Sequence, residues 1–157
     1  MRGGVRSTTI GNVPGRAYWQ RRLEEECTRA ERYRRPFAVI LITVGADPQN
    51  GGAPVSEAVT MLAAESLRRS VRGSDVVCRL APNRFGVLLV ETNEEGALTA
   101  KRRLVSNTVR DLQRCLTAGM MPVITAGHAV YTAQHRSPST LMHGAEAALQ
   151  HHAAPAW

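Results

Sequence analysis

The stretch Phe37-Ala-Val-Ile-Leu-Ile-Thr-Val44 constrains the fold more than any other part of this chain. It is the length of a strand, rich in β-branched residues, and almost uninterrupted in its apolarity. A strand exposed on one face alternates apolar with polar residues; one without alternation needs cover on both faces. The chain must therefore build a sheet with helices above and below it.

The flanking segments supply that cover. Trp19, Leu23, Cys27 and Ala30 recur at helical spacing within residues 16–34, with Glu25 and Arg29 set for an ion pair on the wet side. Pro36 ends that helix. Glycines and prolines make 45–54 a loop, and a helix over 56–69 presents Val55, Val59, Leu62 and Ser66 inward. Residues 76–80 and 85–90 read as two strands around Ala81-Pro82-Asn83-Arg84, a central β-hairpin. A helix over 94–116 carries acids in its first turn and Leu104, Thr108, Leu112 and Cys115 at buried spacing. A strand over 121–132 and a helix over 137–152 follow. The order predicts an α/β (α+β) fold: a central mixed, mostly antiparallel five-stranded sheet covered by helices.

At 157 residues the chain has the length of one domain. Residues 1–15 read as a flexible lead-in, 16–153 as the domain and 154–157 as a tail. No apolar run is long enough to span a bilayer and the start lacks a signal-peptide core, so a cytoplasmic location without membrane contact is expected. Cys27, Cys78 and Cys115 form no Cys-x-x-Cys pair and read as reduced core residues. The formal charge of +7 is carried almost wholly by arginine, Lys101 being the only lysine, which suits an anionic or nucleotide-like partner. The arginines are scattered over several helices and aromatics make up only 4%, so nucleic acid is not the expected partner. The five histidines show no ligand pattern, and no metal site is expected.

The elements in this order resemble the GGDEF domain of diguanylate cyclases, a nucleotidyl-cyclase-like fold that joins two GTP molecules into cyclic di-GMP. The resemblance rests on "GRAYWQRRLEEECTRAERYRRPFAVILI", "RGSDVVCRL", "RFGVLLVETNEEGAL", "VITAGHAVY" and "GAEAALQHH". The family's signature turn falls on Ala81, Pro82, Asn83, Arg84 and Phe85, of which only Phe85 matches. Glycines there admit a close nucleotide and acids hold Mg²⁺; Ala81 adds a Cβ, Pro82 removes an amide donor, and Asn83 and Arg84 bring no carboxylate. The family's other acidic positions fall on Thr43 and Gly45, with Asp47 out of register, and its last-helix Tyr and Lys become Gln150 and Ala153. The resemblance thus implies a degenerate domain that is not an enzyme, with no catalytic residue, no cofactor and no Mg²⁺.

Arg72-x-x-Asp75 keeps the register of the family's inhibitory site, which binds cyclic di-GMP. An arginine fork suits guanine O6 and N7 or a phosphate, and a carboxylate suits the guanine N1–H and N2–H donors. The resemblance implies Arg103, with its neighbour Arg102, as further contacts. It points to a cyclic di-GMP receptor in bacterial second-messenger signalling, acting as a homodimer or a ligand-bridged dimer toward a protein partner of unstated identity. The alternative is a ligand-free protein-interaction or scaffold domain.

Overall fold

The computed structural model describes residues 9–10, 13–45 and 55–153, with side chains described over 13–45 and 55–149. In chain order it contains β1 (Thr9–Ile10), β2 (Val13–Pro14), α1 (Arg16–Tyr33), β3 (Ala38–Gly45), α2 (Glu57–Ser70), β4 (Val76–Ala81), β5 (Arg84–Leu89), α3 (Glu94–Cys115), a 3₁₀ turn at Ala118–Met120, β6 (Val123–Val130) and α4 (Pro138–Ala153). The main sheet runs β4-β5-β3-β6, and every neighbouring pair is antiparallel. The expected mixed sheet of five strands is therefore four-stranded and wholly antiparallel among the described residues. From β3 to β6 the path is a split βαββαβ motif. The two-residue ladder of β1 and β2 falls within the expected lead-in, and Val13 is buried. The rest of that lead-in, the 154–157 tail and the loop over 46–54 lie outside the described residues.

Burial of β3 on both faces follows its period of two. Ala38, Ile40, Ile42 and Val44 point to the core under α2 and α3, where Leu67, Phe85, Leu104 and Leu112 meet them. Phe37, Val39 and Leu41 point the other way, into the core under α1 and α4 with Trp19, Leu23 and Leu141. Two glycines permit the closest approaches. A Cβ at Gly86 would stand 2.9 Å from the Trp19 ring, and one at Gly127 would collide with the backbone of α4 at Ala145 and Leu149.

Local chemistry sets the helix ends. Ser56 accepts from Val59 N–H and Asn93 from Gly96 N–H, capping α2 and α3, while Ser137 and Thr140 exchange hydrogen bonds at the start of α4. Arg34, at φ 55°, ends α1 in the left-handed region before Pro36. Three expectations fail. Leu62 faces solvent, since the inner face of α2 centres on Val59, Ala63 and Leu67. Cys115 is exposed at the C-terminal end of α3, and Glu25 meets Arg22 at 3.4 Å rather than Arg29. Cys27 and Cys78 are buried as expected; burial raises their thiols to about 11 and about 12.

Candidate ligand-binding cleft

The β4–β5 hairpin has two polar ends. Its open end lies where α2 runs into β4 and β5 runs into α3. There Asp75 N–H donates to Arg72 O at 3.0 Å, closing a tight turn over Arg72-Gly-Ser-Asp75. The Asp75 side chain is 1% exposed and that of Arg72 61%. Asp75 Oδ2 accepts from the backbone N–H and the Nε of Arg72, both at 3.2 Å. Its Oδ1 accepts from Val90 N–H at 3.3 Å and from Arg72 Nη2 at 3.5 Å. The buried carboxylate thus ties the start of β4 to the end of β5, and it holds the Arg72 guanidinium at the surface. Arg72 Nη2 also donates to Val90 O and to Thr92 Oγ1, at 3.2 and 3.3 Å.

Arg72 and Asp75 line a cleft of about 710 Å³ together with Thr92, Glu95, Thr99 and Arg103. Glu95, Thr99 and Arg103 stand at i, i+4 and i+8 on α3, so one face of that helix forms a wall. The chain thus brings together two exposed arginines that are 31 positions apart in sequence. Arg102 is not part of the cleft. One residue is about 100° around a helix, and Arg102 lines a separate groove with Lys101, Val105, Ile124 and Thr125. Thr92, Glu95 and Thr99 were not singled out by sequence as a binding set, although helical spacing from Arg103 would have found two of them.

At its turn end the hairpin is occupied by ion pairs. Arg79 on β4, with its side chain 6% exposed, forks onto Glu57 at 2.7 and 2.8 Å and also donates to Pro82 O. Those hydrogen bonds hold the Glu57 carboxyl below its ordinary 4.5. Arg84 meets Glu146 of α4 through Nη1, at 2.7 and 2.9 Å. Asn83 O accepts from Val44 N–H at 2.9 Å, and Phe85 is fully buried. Ala81 and Pro82 complete the turn, with an irregular register between Arg79 and Ala81. Among the described residues no group of three or more His, Cys, Asp or Glu side chains could hold a metal ion. Asn83 carries an amide where the family turn has an acid, and Arg84 is paired with Glu146. Gln150 and Ala153 lie outside the residues whose side chains are described.

The four-stranded βαββαβ sheet, its covering helices and its central hairpin define a nucleotidyl-cyclase-like domain. A family model for "Diguanylate cyclase, GGDEF domain" matches residues 9–154, and the chain belongs to that family. It is 24% identical over 145 residues to diguanylate cyclase TpbB of Pseudomonas aeruginosa, covering 90% of this chain and 33% of TpbB. The chain therefore spans about a third of the curated relative it matches. The crystal structure of the GGDEF domain of TpbB (YfiN) superposes with a TM-score of 0.73 at 26% identity, covering 90% of both chains. The GGDEF domain of DgcB from Caulobacter crescentus, in complex with c-di-GMP, has a TM-score of 0.76 at 18% identity, covers 92% of this chain and 89% of its own, and shows the shared fold.

These findings correct one expectation. The family and the named relative are diguanylate cyclases, so the exclusion of an enzyme drawn from the turn residues does not stand. Among the described residues no helix is long and apolar enough to cross a membrane.

Proposed function

We propose that the chain binds cyclic di-GMP in the cleft at the open end of the hairpin, as a receptor or regulatory site of a GGDEF-family domain. The observation that carries this reading is that Arg72, Asp75 and Arg103 line one cleft of about 710 Å³. That volume falls within the roughly 300–1,000 Å³ of small-molecule sites. Both guanidiniums are exposed, and arginine forks fit guanine O6 and N7 as well as phosphate oxygens. The DgcB GGDEF domain, of the same fold, carries c-di-GMP in its crystal structure. Arg72 and Arg103 are the contacts of this reading; Asp75 fixes Arg72, and Arg102 faces elsewhere. Occupancy joins two copies through a stacked ligand pair, and the output is a change in assembly or in partner binding. No magnesium ion takes part at this cleft.

Calorimetric titration of cyclic di-GMP, with and without a magnesium chelator, tests the reading. The expected result is binding that survives chelation and weakens at least about tenfold in Arg72→Ala and in Arg103→Ala, with Arg102→Ala unchanged. Absence of heat at about 50 micromolar ligand would sink it. That outcome favours a scaffold role, for which the full engagement of Asp75 as a structural acceptor already speaks. GTP turnover, measured in parallel, reports on cyclase activity separately from the cleft.

A further inference from the structure

A second cavity, of about 600 Å³, lies between the end of α1 and the loop joining β6 to α4, and it shares only Pro36 with the cleft of Arg72 and Arg103. Its charged lining is Arg34, Arg35 and Arg136 against the single carboxylate of Glu31, with Tyr131 and Thr132 beside them. Arg34 and Arg136 are exposed, and among the described residues neither makes a hydrogen bond or an ion pair. Arg35 gives one bond to Glu91 at 2.8 Å and keeps the other donors of its guanidinium. Like charges converging on one space repel, so an anion between them is favoured. Both walls are set in advance. Thr132 and His135 exchange backbone hydrogen bonds of 3.2 Å, the Thr132 hydroxyl accepts from the N–H of Gln134 and of His135, and Tyr131 N–H donates to Phe37 O at 2.9 Å. On the other side, Pro36 O accepts from Thr92 N–H at 3.1 Å. Arg34 itself stands at φ 55°, the helix-ending conformation that glycine adopts without strain. Packing does not explain an arginine there, since its side chain is exposed and bonds nothing among the described residues.

We propose that this cavity is a separate site for a nucleoside polyphosphate, with the linked phosphates on Arg34, Arg35 and Arg136 and the base beside Tyr131. A lone phosphate engages one or two guanidinium forks, whereas linked phosphates reach all three. The cavity also has the size of a site for a whole small molecule, and an aromatic wall suits a planar ring. The Tyr131 ring is itself braced by Phe37, with centroids 5.5 Å apart. Glu31 repels phosphate but accepts from an amine or a sugar hydroxyl, so it favours the nucleoside end of the ligand on its side. Because the guanidiniums ride on short hydrogen-bonded turns, binding needs little ordering of the backbone. The assignment does not depend on cyclic di-GMP binding in the other cleft.

The test titrates ATP, inorganic pyrophosphate and orthophosphate, with a magnesium chelator present, into the full chain, into Arg34→Gly and into Arg136→Ala, with a thermal melt of each protein. The expected order of affinity is ATP, then pyrophosphate, then orthophosphate. Arg34→Gly should melt at or above the wild type, because glycine relieves the left-handed backbone, and yet lose about tenfold in ATP affinity. Arg136→Ala should melt with the wild type and lose about as much. Both variants should titrate with cyclic di-GMP as the wild type does. No heat at about 1 millimolar ATP would overturn the site, as would wild-type ATP affinity in either variant. Pyrophosphate binding as tightly as ATP would overturn the place given to the base. A melt lowered in Arg34→Gly would show that the arginine serves the fold, and would overturn its role as a contact. A chain that binds ATP but not cyclic di-GMP upholds this site and sinks the receptor reading alone.

Discussion

The two ends of the β4–β5 hairpin both carry arginines, yet they use them in opposite ways. At the turn end, Arg79 is buried against Glu57 and Pro82 O, and Arg84 is matched to Glu146. Each guanidinium there closes the structure by joining the hairpin to a helix. At the open end the buried partner is the acid: Asp75 is enclosed, while Arg72 and Arg103 face solvent across a cleft. The difference teaches that an arginine's role depends on which member of its pair the fold buries. A buried guanidinium is a clamp. An exposed one held by a buried carboxylate remains able to meet a ligand.

The sharpest way to break this contrast is Asp75→Ala. It leaves the N–H groups of Val90 and Arg72 without their acceptor and leaves the Arg72 guanidinium only its bonds to Val90 O and Thr92 Oγ1. A loss of about 3 kcal/mol in a urea melt is expected, together with loss of cyclic di-GMP binding. A melt equal to wild type would show that the carboxylate is no clamp.

Next in size is Arg79→Ala, which removes the side chain's contacts with Met61 and Phe85 and deprives Pro82 O of its donor. About 2 kcal/mol should be lost, with cyclic di-GMP affinity unchanged, because the cleft lies at the other end. The Glu57 partner adds a signature in pH. Its folded pKa is depressed, chiefly by hydrogen bonds from Arg79, so its contribution is present above the unfolded value and is lost as pH falls through the folded one. Melting temperatures followed from about pH 6 to about pH 3 should therefore drop less steeply in Glu57→Gln than in the wild type.

The smallest effect is expected from Arg84→Ala. Both side chains of the Arg84–Glu146 pair are about one-third exposed, at 33% and 35%, so water compensates the loss and the cost stays below about 1 kcal/mol. A denaturant midpoint shifted by much more would mean that the pair organises α4 and does not merely decorate it.

Much of the architecture was legible in the chain. The unalternating run at Phe37–Val44 called for cover on both faces, and its residues divide between the two cores. The spacing of Trp19, Leu23, Cys27 and Ala30 marked the buried face of α1. Leu62 and Cys115 misled because periodicity identifies a stripe but not which edge of it meets the sheet. The number of strands and their direction were less legible, since strand pairing is a long-range choice among segments with similar patterns.

The candidate site divides along the same line. Arg72, Asp75 and Arg103 could be named from register, because the residue types and their distances along the chain carry over through the family resemblance. Their roles could not. Whether an acid reads a base or serves as a buried acceptor depends on the backbone donors around it, and those of Val90 and Arg72 reach Asp75 only when the hairpin has closed. Arg102 and Arg103 are neighbours of equal charge, and only the docking of α3 sends one to the cleft and the other to a different groove. By itself the sequence determined the covered sheet, the central hairpin and the set of arginines, since periodicity and composition are local properties. Tertiary structure alone decided which charges are enclosed, which are neutralised and which remain available, because burial is a property of what packs against a side chain.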